Sequence, residues 1–331
     1  MEKREQTQKL NNANPALLKA LVFALLFVTV SIPLFRNYIP DTGDQIYWMM
    51  KLQRFDAFLT KPILWRAAMA LLNALGILSA YGMFAAAFKE KEFEVSKTGI
   101  KDYELKSILA TCMFVLSPYR FYVTYEMCDY SEILIWVLIP AVVMFAISFI
   151  RNKSVPSALA AVILLIVTGG AFAVKYVYPT STFAEGGYSL GDLFLTFHHT
   201  ENHPGLGMPV FLGAFVWLYA LTEEKDSRRY SVYSIIGTVS VILSLRFFPW
   251  DVPASKLPVA EKIIRHFGSP SFFVGLSVMF LCFPAAKGIF FLKENKNKIV
   301  AEILPGILIL FIIAVWLFLC SKAMYFQYPL E

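Results

Sequence analysis

Apolar runs of about 17 to 25 residues, the length a helix needs to cross roughly 30 Å of hydrocarbon, recur from one end of this chain to the other. A chain with 57% apolar residues, 30 phenylalanines and only 16% charged residues, at a mean hydropathy of +0.58, has too few polar groups to cover a soluble surface. Helices rather than a closed barrel are the spanning element, since each segment must satisfy its own backbone polar groups. The sequence therefore predicts an all-α fold, a polytopic transmembrane helical bundle forming one domain over residues 1–331. About nine spans are expected, near 16–35, 62–88, 104–118, 132–150, 156–176, 207–222, 230–247, 271–292 and 299–321.

Basic clusters orient the bundle. They lie in the leader "MEKREQTQK", in the loop carrying Lys89, Lys91, Lys97, Lys101 and Lys106, in "EEKDSRR" at 223–229 and in "KENKNK" at 293–298. By the positive-inside rule these faces are cytoplasmic. The first apolar run is long for a signal-peptide core and lacks a small-residue cleavage site, so it reads as a retained signal anchor with the N-terminus inside. The expected location is the cytoplasmic (inner) membrane, multi-pass. The formal charge of +6 is accounted for by these clusters, which leaves no ground for a nucleic acid partner. Cys112, Cys128, Cys282 and Cys320 have no CxxC spacing and read as small apolar core residues.

On this topology the extracytoplasmic segments are 36–61, 119–131, 177–206 and 248–270, and chemical variety collects there. Asp41 and Asp44 in the first are three apart, so a helix would put both carboxylates on one face, where they could act as a base or hold Mg²⁺ or Mn²⁺. Capping of the following helix by one of them is the competing reading. In "YSLGDLFLTFHHTENHPG" the Ser189 to Asp192 spacing is that of a capping box, followed by Leu190, Leu193, Phe194 and Phe197 at amphipathic positions, which predicts a short interfacial helix. His198, His199 and His203 have neither cysteines nor an HExxH frame beside them and read as a solvated loop end. Residues 257–267 predict a second amphipathic helix, with Glu261, Lys262, Arg265 and His266 on its polar side.

The stretch "LSPYRFYVTYEMCDYSEILIWVLIP", 116–140, holds Arg120, Glu126, Asp129 and Glu132 between two apolar runs. Pro118 cannot continue the third span, so the chain should break there and bring Arg120 out at the membrane surface. The three carboxylates, spaced by three, should share one face of a short helix, and Asp129 with Glu132 also fits a capping box. Ionisable groups at a membrane edge are functional candidates, because desolvating them without a partner is expensive.

This stretch resembles the "SPYR, acidic residue, Glu, then Pro" segment of YfhO-like and related bacterial membrane proteins in the GT-C glycosyltransferase superfamily. "LRFFPWDVPASKLPVAEKIIRHFGSPSFF" resembles their later "FPW, amphipathic helix, Pro, aromatic" segment, with "GGYSLGDLF" and "GLGMPVFLGAF" in the same order between. The resemblance is clearest over 105–280. It implies a GT-C-like bundle that transfers a sugar from a polyprenyl-phosphate donor to an extracytoplasmic glycan or lipid acceptor of the cell envelope. It places the catalytic carboxylate at Asp44, with Asp41 beside it. Arg120 is implied as the holder of the lipid phosphate, and Glu126, Asp129, Glu132, Trp250, Asp251 and Arg265 are the further substrate-binding candidates. The first outer loop, about 25 residues, is shorter than in that group, which keeps a second reading open: a non-catalytic membrane protein that binds a lipid-linked glycan or assists a partner enzyme. Against a transporter, the third reading, stands the collection of charge at one membrane edge rather than at mid-span.

Overall fold

The computed structural model describes residues 15–35, 62–89, 101–126, 130–176, 188–194, 205–220, 228–249, 256, 271–295 and 298–326. Among these the chain is helical almost throughout, with no strand and one isolated bridge between Tyr188 and Leu245. Each of the nine apolar runs contains a helix: α1 (Pro15–Val30), α3 (Pro62–Phe88), α4 (Asp102–Val115), α6 (Tyr130–Asn152), α7 (Val155–Tyr176), α9 (Met208–Ala220), α10 (Arg228–Ser244), α11 (Ser271–Asn295) and α12 (Lys298–Phe326). Short elements join them: α2 (Ile32–Phe35), α5 (Pro118–Phe121), a π-helical turn (Tyr122–Glu126) and α8 (Leu190–Phe194). Within α3, α6, α11 and α12 lie four segments that are long and apolar enough to cross a membrane.

The lateral faces are greasy, the reverse of a water-soluble bundle. Leu17, Leu21, Leu25 and Val28 form an exposed stripe on α1, and Leu71, Leu75 and Leu78 form another on α3. On α7 the exposed side carries Leu159, Val162, Ile163, Ile166 and Val167. Apolar side chains at helical spacing on the outside have a favourable environment in lipid and none in water. This is the architecture of a helical membrane protein.

The interior is built on α4, buried all the way round from Ser107 to Val115, and on α11 beside it. The closest approaches are made through glycine. A Cβ on Gly213 of α9 would stand 2.7 Å from the Ala285 Cβ of α11, and one on Gly288 would stand 2.8 Å from the Gly213 carbonyl. Without a hydrophobic force between helices in lipid, such close backbone packing is what holds them together. Helices α3 and α6 run in the same direction. Gly76 meets Val137, Gly82 meets Met144, and the Arg151 guanidinium closes the pair by donating to the Ala86, Ala87 and Lys89 carbonyls at the end of α3.

The ends of the helices pair as an alternating topology requires. At the basic end, Lys19 of α1 binds Glu104 of α4 at 2.8 Å, Lys106 lies over the Phe290 ring and Lys287 over the Tyr230 ring. At the opposite end the Tyr188 amide donates to the Ser244 carbonyl at 3.0 Å, and the Tyr119 amide to the Gly205 carbonyl at 3.1 Å. Cys112, Cys282 and Cys320 are buried free thiols, as the sequence indicated; Cys128 lies outside the described residues.

Candidate functional site

The chain does break where Pro118 falls. α4 ends at Val115, Ser117 takes the N-cap of α5 with its Oγ accepting from the Arg120 amide at 3.3 Å, and Pro118 occupies the first helical position, where its missing N–H costs nothing. The break does not bring Arg120 out at the surface, however: its side chain is only 3% exposed. The buried 205–207 backbone packs against the start of α5. Gly207, at φ +89°, lies against Pro118, and Leu206 is tied to the Leu193 carbonyl of α8 at 2.9 Å. A left-handed backbone of this kind suits glycine, and an added Cβ there would stand 3.2 Å from Pro118 Cδ.

The guanidinium therefore points into the bundle. It lies 5.8 Å from the centre of the Phe114 ring, and its Nη2 would be 3.3 Å from a Cβ placed on Gly76. Gly76 is near the middle of the 27-residue α3, and its other neighbour, Val137, is about 10 Å along α6 from Tyr130 at the helical rise. The cation is thus buried between α3 and α6 instead of exposed to solvent. This corrects the expectation that Arg120 emerges at the surface.

Its surroundings are polar but give it little. Arg120 Nη1 is buried without a hydrogen-bond partner. The Asn73 amide, one turn from Gly76 on α3, donates to Tyr125 Oη at 3.0 Å and to Ser31 Oγ at 3.3 Å. Tyr125 Oη in turn donates to the Val30 carbonyl at 2.6 Å, and Trp316 of α12 donates to the Thr29 carbonyl at 2.9 Å. These bonds satisfy the carbonyls at the end of α1, where the helix has no partners of its own. Beside them, Tyr119 Oη donates to Glu132 Oε1 at 2.5 Å, and both residues have no exposed surface. The Tyr119 ring meets the Trp136 ring edge to face at 5.6 Å; Trp136 packs onto Gly275 of α11 so closely that a Cβ there would overlap its ring.

Of the sequence candidates, the structure brings Arg120 and Glu132 into one buried cluster. Glu132 occupies the third position of α6, where a capping box would put it, and it also serves as acceptor for Tyr119. The segment that would join Glu126, Asp129 and Glu132 into one short helix, 127–129, lies outside the described residues. On either side of it, Glu126 closes the π-helical turn and Glu132 belongs to α6. Asp41, Asp44, Asp129, Trp250, Asp251 and Arg265 lie outside the described residues, as does the amphipathic segment 257–267. Among the described residues no group of three His, Cys, Asp or Glu is placed to hold a metal ion. The capping box of α8 is present: the Ser189 amide donates to Asp192 Oδ2 at 2.8 Å and the Asp192 amide to Ser189 Oγ at 3.2 Å.

Sequence reasoning passed over Tyr119, Tyr125, Asn73 and Gly76. The signal for the last two was legible: a lone asparagine in the apolar run 62–88, followed by a glycine one turn on. No protein-family model, curated protein or solved structure matches the chain.

Proposed function

We propose that this is a GT-C-like membrane protein of about nine spans that takes up a polyprenyl-phosphate sugar at its extracytoplasmic end and transfers the sugar to a cell-envelope acceptor. The observation that supports a ligand of this kind is Arg120. A guanidinium offers five donors, and leaving a charged donor unmatched in a desolvated interior costs several kcal/mol unless an anion arrives. A phosphate oxygen supplies both the charge and the acceptor in a charge-assisted bond. The basic clusters at the other end of the helices support an extracytoplasmic position for Arg120. The prenyl chain would lie along the apolar lateral faces.

In this reading Asp44 orients or deprotonates the acceptor hydroxyl, and Asp41 and Asp44 together would be the holders of a Mg²⁺ or Mn²⁺ ion that screens the departing phosphate. Their assignment rests on their spacing of three and on the family resemblance. The 3% exposure of Arg120 favours a second reading, a non-catalytic protein that closes over a lipid-linked glycan and presents it to a partner enzyme.

Transfer from a polyprenyl-phosphate sugar in proteoliposomes separates them. Asp44→Asn keeps shape and removes charge, so on the transferase reading turnover falls by at least about a hundredfold, the scale of a lost general base. Arg120→Gln should instead weaken donor binding, since the phosphate is present in ground and transition states alike. Full activity in Asp44→Asn would remove it as the catalytic carboxylate. A wild type that binds donor but transfers nothing supports the non-catalytic reading.

A further inference from the structure

The Arg120 guanidinium lies over the ring of Phe114, its central carbon 5.8 Å from the ring centre. Ser117 links the two residues. Its hydroxyl donates to the Phe114 carbonyl at 2.8 Å and its Oγ accepts from the Arg120 amide at 3.3 Å, so one side chain ties the end of α4 to the start of α5. The ring is braced by others: Phe84 of α3 meets it edge to face at 6.4 Å, Phe283 of α11 meets Phe84 at 4.7 Å, and none of the three has any exposed surface. Nη2 lies against the bare backbone at Gly76, and Nη1 has no hydrogen-bond partner.

We propose that Phe114 is a placeholder for the anion at Arg120: in the ligand-free site the negative face of its ring compensates part of the guanidinium charge, and a bound anion takes over that part. This rests on the phosphate-binding reading of Arg120 given above and adds a residue that sets the affinity. Phe114 acts on the ligand only through Arg120, as a positioning residue.

A ring quadrupole attracts a cation most strongly where water is excluded, and Arg120 is in such a place. The attraction depends on the charge that the ring sees. Once a phosphodiester monoanion has docked on Nη1, the ring faces a neutral pair instead of a cation, and much of the attraction is lost. A group changes affinity only by the difference between its interactions in the empty and the occupied states, and this difference favours the empty one. Phe114 therefore stabilises the empty site and, by the same amount, weakens the binding of the anion.

The test replaces Phe114 in the full-length protein by mono-, di- and trifluorophenylalanine. Fluorine withdraws electron density from the ring face at nearly constant shape, so the contact with Phe84 is kept while the pull on the cation fades. In detergent without ligand, the melting temperature should fall with each fluorine. Affinity for farnesyl methyl phosphate, a phosphodiester monoanion, should rise along the same series, by about tenfold from phenylalanine to the trifluorinated ring, a change within the range of a desolvated cation–π contact. In Arg120→Gln, which keeps the ring and removes the cation, the series should leave the melting temperature nearly level. A fall of equal size in Arg120→Gln assigns the effect to ring packing and overturns the proposal. Affinity that stays constant or falls with fluorination also overturns it and leaves the phosphate reading standing. No binding by the wild type, or unchanged binding in Arg120→Gln, removes the phosphate reading and the placeholder with it.

Discussion

Gly76 is where a single residue decides what the site can hold. Any side chain there would stand between the helices, against Arg120 Nη2 and Val137 Cγ2. In an isolated helix Gly→Ala is stabilising by about 1 kcal/mol. At this position the added methyl must push the guanidinium by a few tenths of an ångström, out of the aim set by Phe114 and α5. Gly76→Ala should therefore keep or raise the melting temperature while weakening anion affinity by about tenfold, equivalent to about 1.4 kcal/mol. A parallel fall in melting temperature and affinity would mean that Gly76 serves packing alone. Asn73 plays the complementary part: its amide ties Tyr125 and Ser31 together in the polar layer beside the cation.

At the scale of elements, the parallel α3 and α6 pair carries the site at one end and a lock at the other. The carbonyls at the end of α3 have no partners within their own helix, and the Arg151 guanidinium from the last turn of α6 donates to three of them. Arg151 is exposed, so screening keeps the gain small. Arg151→Ala should cost about 1 kcal/mol of stability, and Arg151→Lys should recover only part, because a single ammonium lacks the planar fork that reaches several carbonyls. Thermal unfolding in detergent checks both. Equal stability of all three proteins would show that water serves those carbonyls as well as the guanidinium does. Loss of this lock should leave anion binding nearly unchanged, since Gly76 and Val137 are several turns away.

For the molecule as a whole, the internal pairing of helix ends agrees with alternating spans, and the basic clusters predict which side is which. Labelling of single cysteines in intact cells reads that assignment directly. Lys97→Cys should be protected from an impermeant reagent and His199→Cys accessible to it. Labelling at 97 and not at 199 would invert the topology and turn the Arg120 end to the cytoplasm.

What the sequence determined by itself is what repeats locally. Helix class, the nine apolar runs, the stop at Pro118 and the Ser189 to Asp192 capping box follow from length, proline chemistry and spacing, which act within a few residues of themselves. Where Arg120 points is a different kind of fact. Its burial depends on a left-handed glycine at 207, on the turn from α4 into α5, and on an absent side chain at 76, three features far apart in the chain. The meeting of Tyr119 with Glu132 likewise crosses a π-helical turn that shifts the helical register between them. A run of sequence shows which residues are charged; only the packing of the helices decides which of them lose their water, and that desolvation gives Arg120 and Glu132 their chemistry.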